Sequence, residues 1–288
     1  HIKKLERWFT ECHILNIRTS IKKRQQKNSL TNLMKEKVIN RINLTDKDLL
    51  KYNKHILLDE IQTEGIELLN TKHIVLIGLG GLGCPVAQYL ATSGLGTLSI
   101  IDNDIIEDSN LQRQILYSQN DIGFCKVDIA EKKLKMLNPD LVINKHKIRF
   151  SDYSNNIIKN ADLVIDATDN FLTRSIINKA TLLHKKPLIM GAAIKLQGQV
   201  AIFRNDLKGM PCYNCLYNDV DDENIACIDQ GVLSMLTSLI GSIQAAESIK
   251  LLLNFGEKLE SKLLLVDIKN LDFRKIKITK DQKCGFCS

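Results

Sequence analysis

Residues 73–102 read HIVLIGLGGLGCPVAQYLATSGLGTLSIID, and the order of patterns within them decides the fold. His73–Ile77 is a short β-branched, apolar run that predicts a strand and ends on Gly78. Thr97–Ile101 is a second such run and ends on Asp102. Between them Pro85–Ser93 has the pattern of a helix, closed by Gly94. In this setting Gly78, Gly80, Gly81 and Gly83 stand where a phosphate-binding loop must stand, after a strand and opening a helix. Glycines there let the backbone approach phosphate oxygens, and the helix N-terminal N–H groups point at them. Asp102, 19 residues after Gly83, is placed to accept hydrogen bonds from ribose hydroxyls. A purely structural glycine turn is the plainer alternative, and the loop alone fits a dinucleotide dehydrogenase equally well.

The alternation continues outward. Strands are expected at 141–143, 163–166 and 187–190, with a helix at 171–184, which predicts a Rossmann-type α/β fold with a mostly parallel sheet. Segments 198–204, 262–268 and 274–278 read as strands without crossover helices, so an antiparallel extension is expected. Upstream, Thr45-x-x-Asp48 before Leu49, Leu50, Tyr52, Ile56 and Leu57 predicts a capped amphipathic helix. Residues 45–288 are expected to form one domain and residues 1–44 a basic extension. The first 33 residues hold eight Lys/Arg against two Glu, which accounts for +6 of the net +7. They fit an extension upstream of a start at Met34, a flexible basic arm or a targeting peptide. With the remainder near neutral, a nucleic-acid-binding body is disfavoured. No apolar run approaches the roughly 20 residues that span a bilayer, so no membrane association and a cytoplasmic location are expected.

The residues after Asp102 separate the nucleotide readings. Asp104, then Ser109-Asn110-Leu111-Gln112-Arg113-Gln114, form a dense polar run for which a dehydrogenase has no comparable need. Arg113 can reach a triphosphate. Lys126 comes next, and Asp169-Asn170 lies just beyond the strand ending at Asp166, at the carboxyl edge of the sheet where open α/β folds bind ligands. Two cations for phosphate oxygens and a carboxylate for Mg²⁺ suit transfer of a nucleotidyl group. Singly, Lys126 also fits a solvated helix lysine, and Asp169 a helix N-cap before Phe171.

Of the eight cysteines, Cys212, Cys215, Cys284 and Cys287 form two Cys-x-x-Cys pairs, the spacing of two zinc knuckles. Four thiolates saturate a tetrahedral site, so a structural Zn²⁺ is expected; unliganded thiols or a redox pair are the alternatives. Cys227 stands alone before an apolar helix that starts near Gly231, where a thiol can be nucleophilic. Cys84 reads as a small packing residue, Cys125 is open, and Cys12 belongs to the basic segment.

Together with Asp166-Ala-Thr-Asp-Asn170, Gly191-Ala-Ala-Ile194, Gly198-Gln199 and Gly241-Ser-Ile-Gln-Ala245, these motifs resemble, in order, the adenylyltransferases of molybdopterin and thiamine-thiazole synthesis. Those enzymes are related to the ubiquitin-activating enzymes. The resemblance runs from about residue 45 to the end. It implies a homodimer that uses ATP and Mg²⁺ to adenylylate the C-terminal Gly-Gly of a ubiquitin-like sulfur-carrier protein. By the same resemblance the glycine loop, Asp102 and Ser109–Arg113 surround ATP, with Asp102 on the ribose. Asn110, Arg113 and Lys126 face the phosphates, Asp169 and Asn170 adjoin them, and Asp169 holds Mg²⁺. Cys227 matches a cysteine that links covalently to the carrier in some members. The family usually has arginine where Tyr52-Asn-Lys54 supplies lysine, a charge that reaches the partner subunit's ATP but lacks the bidentate fork. Gln230, Met235 and Ser238 replace small or proline residues common after Cys227. The Gly191–Gln199 segment leans toward the molybdopterin branch and Leu57–Ile61 toward the thiazole branch. Because the sequence ends right after the second cysteine pair, a separate sulfur donor is expected. A catalytically impaired ATP-binding partner subunit is the rival reading.

Overall fold

The computed structural model describes Thr19 and residues 44–217 and 231–288. The expectations for the rest of residues 1–43 lie outside the described residues. By its contacts the chain divides into two compact units, residues 1–68 and residues 69–288.

In the first unit, α1 (Asp46–Lys51) begins at the expected cap: Thr45 Oγ1 accepts the Asp48 N–H at 3.2 Å, and Asp48 Oδ2 accepts the Thr45 N–H at 3.0 Å. This reciprocal box satisfies two donors that a helix start leaves open. A short α2 (Asn53–Ile56) follows, and α3 (Gln62–Asn70) leads to the second unit.

The second unit is built on an eight-stranded sheet. Its strands are β1 (His73–Ile77), β2 (Thr97–Ile101), β3 (Val142–His146), β4 (Leu163–Asp166), β5 (Leu188–Ile194), β6 (Gln197–Phe203), β7 (Lys262–Asp267) and β8 (Asp272–Lys277). The spatial order is β3-β2-β1-β4-β5-β6-β7-β8, parallel from β3 to β5 and antiparallel from β5 to β8. The expected antiparallel extension is therefore present. Apolar side chains alternate across the sheet: Ile74, Leu76, Leu98, Ile100, Leu163 and Ile165 enter one core cluster, and Val75, Ile77, Ile101, Val164, Leu188 and Met190 the other. A sheet covered on both faces explains why its central strands read as continuous apolar runs.

α4 (Gly83–Thr92), α5 (Lys126–Leu137) and α8 (Ser234–Leu253) supply the first cluster, and α6 (Phe171–His184) the second. A one-turn α7 (Tyr213–Leu216) carries the first cysteine pair. At 20 residues α8 is long and apolar enough to cross a bilayer, which corrects the expectation that no stretch approaches that length. It is a core helix here. Leu236, Ile240, Gln244, Ala245 and Ser248 are buried, and Glu247 binds Lys250 and accepts the Leu259 N–H at 2.9 Å.

β1 and β4 are neighbours at the point where the chain reverses its order across the sheet, and ligands of open α/β folds bind beyond the carboxyl ends of such strands. There β1 turns through Gly78, whose φ of +94° suits glycine, and an added Cβ would lie 2.7 Å from Ala167 O. At Gly83 an added Cβ would lie 2.0 Å from Gly78 O. Gly83→Ala is thus expected to cost about 3 kcal/mol or more, because the obstacle is backbone that cannot step aside. Urea denaturation checks this, and a loss under about 1 kcal/mol would contradict so close an approach.

Candidate active site

The glycine loop is pinned by its own neighbours. Asp102, just past β2, accepts the Leu79 N–H at 2.7 Å on Oδ2 and the Asp104 N–H at 2.8 Å on Oδ1. Leu79 O in turn accepts the Tyr117 hydroxyl at 3.2 Å and the Cys84 thiol at 3.3 Å. Cys84 is the packing residue expected, and burial pushes its thiol up to about 12, away from reactivity. Burial also lifts the Asp102 carboxyl above the ordinary carboxylate range, with Lys126 and the two backbone N–H groups pulling back. Each Asp102 oxygen keeps a second lone pair for a further donor. Of the loop glycines, Gly81 abuts Thr237 of α8, whereas the nearest atom to a Cβ on Gly80 would be Gln114 Nε2 at 3.8 Å. The open side of the loop is thus at Gly80.

The cations stand on the same edge. Lys126 opens α5, is only 5% exposed, and places Nζ 2.8 Å from Asp104 Oδ2, while its N–H donates to Asp104 O. The solvated-lysine alternative is therefore wrong: the side chain lies along the sheet edge, held by a carboxylate that is itself exposed. Arg113 comes after the 3₁₀ turn Asp108–Asn110 and donates from Nη1 to Ser109 O at 3.0 Å. Among the described residues no carboxylate pairs with it. Asn110 is buried and bonds Ser109 Oγ and the Glu107 N–H, so it braces this turn. Leu111 is half-buried against the core, and Gln112 is exposed.

Beyond β4, Asn170 and not Asp169 caps α6, accepting the Thr173 N–H at 2.9 Å. That removes the capping role considered for Asp169. Its carboxylate is exposed, and its one contact is the Asn170 side-chain N–H at 3.4 Å. Asp166 is fully buried, accepting the Thr168 N–H and hydroxyl at 2.9 and 2.7 Å; burial holds its carboxyl above the usual range against the pull of Arg174.

The four paired cysteines meet as expected, their sulfurs all within 4.8 Å of one another. Neighbouring Sγ atoms are 3.4–4.0 Å apart, too far for disulfides. A tetrahedral ion with bonds of about 2.3 Å spaces its sulfurs by about 3.8 Å, so the set fits a metal.

Residues 52–286 match the ThiF family. The chain belongs to that family. Its relatives include the sulfur carrier protein adenylyltransferase of Thermus thermophilus, 38% identical over 84% of this chain and 92% of that protein. The molybdopterin-synthase adenylyltransferase of Salmonella typhimurium is 38% identical over 85% and 98%. The adenylyltransferase and sulfurtransferase MOCS3 of Aedes aegypti is also 38% identical, and the match spans 96% of this chain but 64% of that protein. The crystal structure of E. coli MccB with ATP superposes with a TM-score of 0.70 at 20% identity, covering 85% of this chain and 82% of that one. That likeness concerns the fold alone.

Within this ThiF chain, Leu79 of the glycine loop, Asp102, Asp104 and Lys126 are linked by the bonds above, Gln114 at the end of the Ser109–Gln114 run faces Gly80, and Asp169-Asn170 comes directly after the adjacent strand β4. Lys54 is exposed on α2 of the first unit. Cys227 and Gln230 lie outside the described residues. Three further side chains shape the site: Gln114, Thr237 and Arg174. Gln114 and Arg174 sat inside or beside the quoted motifs, but only tertiary contact reveals Gln114 beside Gly80 and the Arg174 bond to Thr168 O at 2.7 Å.

Proposed function

We propose that this ThiF-family chain is an ATP-dependent adenylyltransferase that activates the C-terminal glycine of a small ubiquitin-like sulfur-carrier protein. The observation that carries the reading is two cations in the segment that follows the loop-pinning Asp102, buried Lys126 held by Asp104 and Arg113 without a carboxylate partner among the described residues. A nicotinamide dehydrogenase has no use for them, whereas transfer of AMP does.

In this reaction a carboxylate oxygen of the carrier's terminal glycine attacks the α-phosphorus. The bond from that phosphorus to the bridging oxygen breaks, and pyrophosphate leaves with the electron pair. Arg113, Lys126 and Asn110 line the phosphates, the two cations neutralising charge that grows on the departing oxygens. The free lone pairs of Asp102 take the ribose hydroxyls. Asp169 is the carboxylate for Mg²⁺, which is commonly held by one or two carboxylates plus substrate phosphates and would supply charge neutralisation. The exposed, cation-free Asp169 fits that demand. The four cysteines hold a structural Zn²⁺, and the cytoplasm is the compartment that keeps such thiolates reduced. We place the chain in a homodimer in which Lys54 of one protomer reaches its partner's nucleotide. A sulfur donor then consumes the adenylate.

Incubation with ATP and a carrier ending in Gly-Gly is expected to shift the carrier's intact mass by one AMP. A carrier left unmodified while ATP is bound would overturn the reading. Cys227, acting after adenylation, gives a separate expectation: Cys227→Ala removes a covalent adduct with the carrier on non-reducing gels while the adenylate still forms. Loss of the adenylate in the folded variant would contradict that role.

A further inference from the structure

Five buried side-chain polar atoms among the described residues find no partner, and four of them gather near the end of β4. They are Asp166 Oδ2, Arg174 Nε, the Tyr213 hydroxyl and Gln244 Oε1. Gln244 Nε2 donates to Asp166 O at 2.8 Å, and Tyr213 lies within the field of Arg174 and Asp166. A buried carboxylate, guanidinium, phenol and amide gathered at one strand end are costly unless they bond one another, and the Tyr213 hydroxyl does lie against the Arg174 guanidinium.

Arg174 is the centre of this group. It is 8% exposed and rises from the first turns of α6, next to the Phe171 ring, to donate from Nη2 to Thr168 O at 2.7 Å and, more weakly, to Gly191 O at 3.5 Å. One guanidinium thereby ties the corner after β4 to the neighbouring strand β5. The fully buried Asp166 lies in its field, and one Asp166 oxygen holds Thr168 by two bonds. The next residue is Asp169, whose side chain touches only Asn170. The position of the Asp169 carboxylate is therefore set by its backbone, clamped on one side by Arg174 through Thr168 and on the other by the Asn170 cap.

We infer that Arg174 is a positioning residue for adenylyl transfer, holding the Thr168 carbonyl so that Asp169 meets the metal-bound phosphates. The inference rests on the reading of Asp169 as the Mg²⁺ carboxylate. A lysine in its place keeps the charge but loses the planar guanidinium, which lies beside Phe171 and sets Nη2 against both carbonyls.

The test measures ATP–pyrophosphate exchange, with a carrier ending in Gly-Gly present, against Mg²⁺ concentration in Arg174→Lys, Asp169→Asn and the double variant of the full chain. Arg174→Lys is expected to lower the maximal rate about 10- to 100-fold, the scale of a roughly 1 Å misplacement. It should also raise the Mg²⁺ needed for half-maximal rate about fivefold or more, while ATP binding without Mg²⁺ and thermal stability stay near wild type. Added to Asp169→Asn, the same substitution should change the residual rate less than about threefold, since the two act through one group. A folded Arg174→Lys with wild-type Mg²⁺ dependence, or an equal fall in both backgrounds, overturns the inference. If Asp169→Asn alone keeps wild-type exchange, the reading of Asp169 falls and the inference with it. If Asp169→Asn fails in exchange and Arg174→Lys does not, only the inference falls. Should Arg174→Lys not fold, Arg174→Gln keeps one N–H₂ donor for Thr168 O, and the same criteria apply.

Discussion

Asp169→Ala is expected to lower carrier-dependent ATP–pyrophosphate exchange by at least about 10²- to 10³-fold while leaving the fold intact, the scale seen when a group that stabilises transition-state charge is removed. The two halves of that expectation have separate causes. The fold is spared because the exposed Asp169 side chain makes no bond but a long one to Asn170, and Asn170 itself caps α6. A surface change of that kind shifts stability by less than about 0.5 kcal/mol. The chemistry is lost because no other exposed carboxylate stands directly after β4 to meet a cation bound by the phosphates. Arg113→Ala should fall similarly, since its one bond, to Ser109 O, holds nothing that α4 or β1 needs. Wild-type exchange in either folded variant would remove that residue from the site.

Cys284→Ser is expected to release the metal and loosen the chain end together with α7. Cys284 is buried, and apart from the sulfurs the segment 279–288 has few fixed points, among them the Lys179 ammonium over the Phe286 ring at 5.1 Å. Binding of Zn²⁺ to such thiolate sites is worth roughly 10–16 kcal/mol in isolated finger peptides. In a unit with its own two-sided core, only the part that stabilises the terminal segment is lost on release. The expected result is a fall of several degrees in Tm, at roughly 2–4 °C per kcal/mol. Metal content by mass spectrometry, with limited proteolysis near residue 280, reads both effects. A metal-free Cys284→Ser with unchanged Tm and proteolysis would show that the four sulfurs meet without an ion that matters.

The elements that the sequence made legible are those whose pattern is local. His73–Ile77, Thr97–Ile101, Leu163–Asp166 and Phe171–His184 were marked by period and by the glycine, aspartate or asparagine at their ends, and the structure has them at those bounds. β3 runs on through Asn144, Lys145 and His146, polar residues on an edge strand that no apolar pattern betrays. β5 continues past Met190 through Gly191 to Ile194 because β6 pairs with it along its length, closed by the two-residue turn Lys195-Leu196. α8 is the apolar helix expected after Gly231, but its pattern does not show that Gln244 and Glu247 are buried by tertiary bonds to Asp166 O and the Leu259 N–H. At the site, spacing put Asp102 just past β2 and Asp169 just past β4, where the structure has them. It could not show that Asp104 holds Lys126, that Asn170 rather than Asp169 is the cap, or that Arg174 reaches Thr168.

The central claim is adenylyl transfer to a sulfur carrier, and ATP–pyrophosphate exchange tests it most directly. The purified chain, shown to bind ATP, is given Mg²⁺ and labelled pyrophosphate with either a molybdopterin-synthase small subunit or a thiazole-pathway carrier, each ending in Gly-Gly. Exchange that appears only with a carrier, and disappears when its last glycine is deleted, is the predicted result, and the carrier that supports it names the pathway. No exchange with either carrier would contradict the claim and turn attention to an ATP-binding partner subunit, with Lys54 the first residue to restore to arginine.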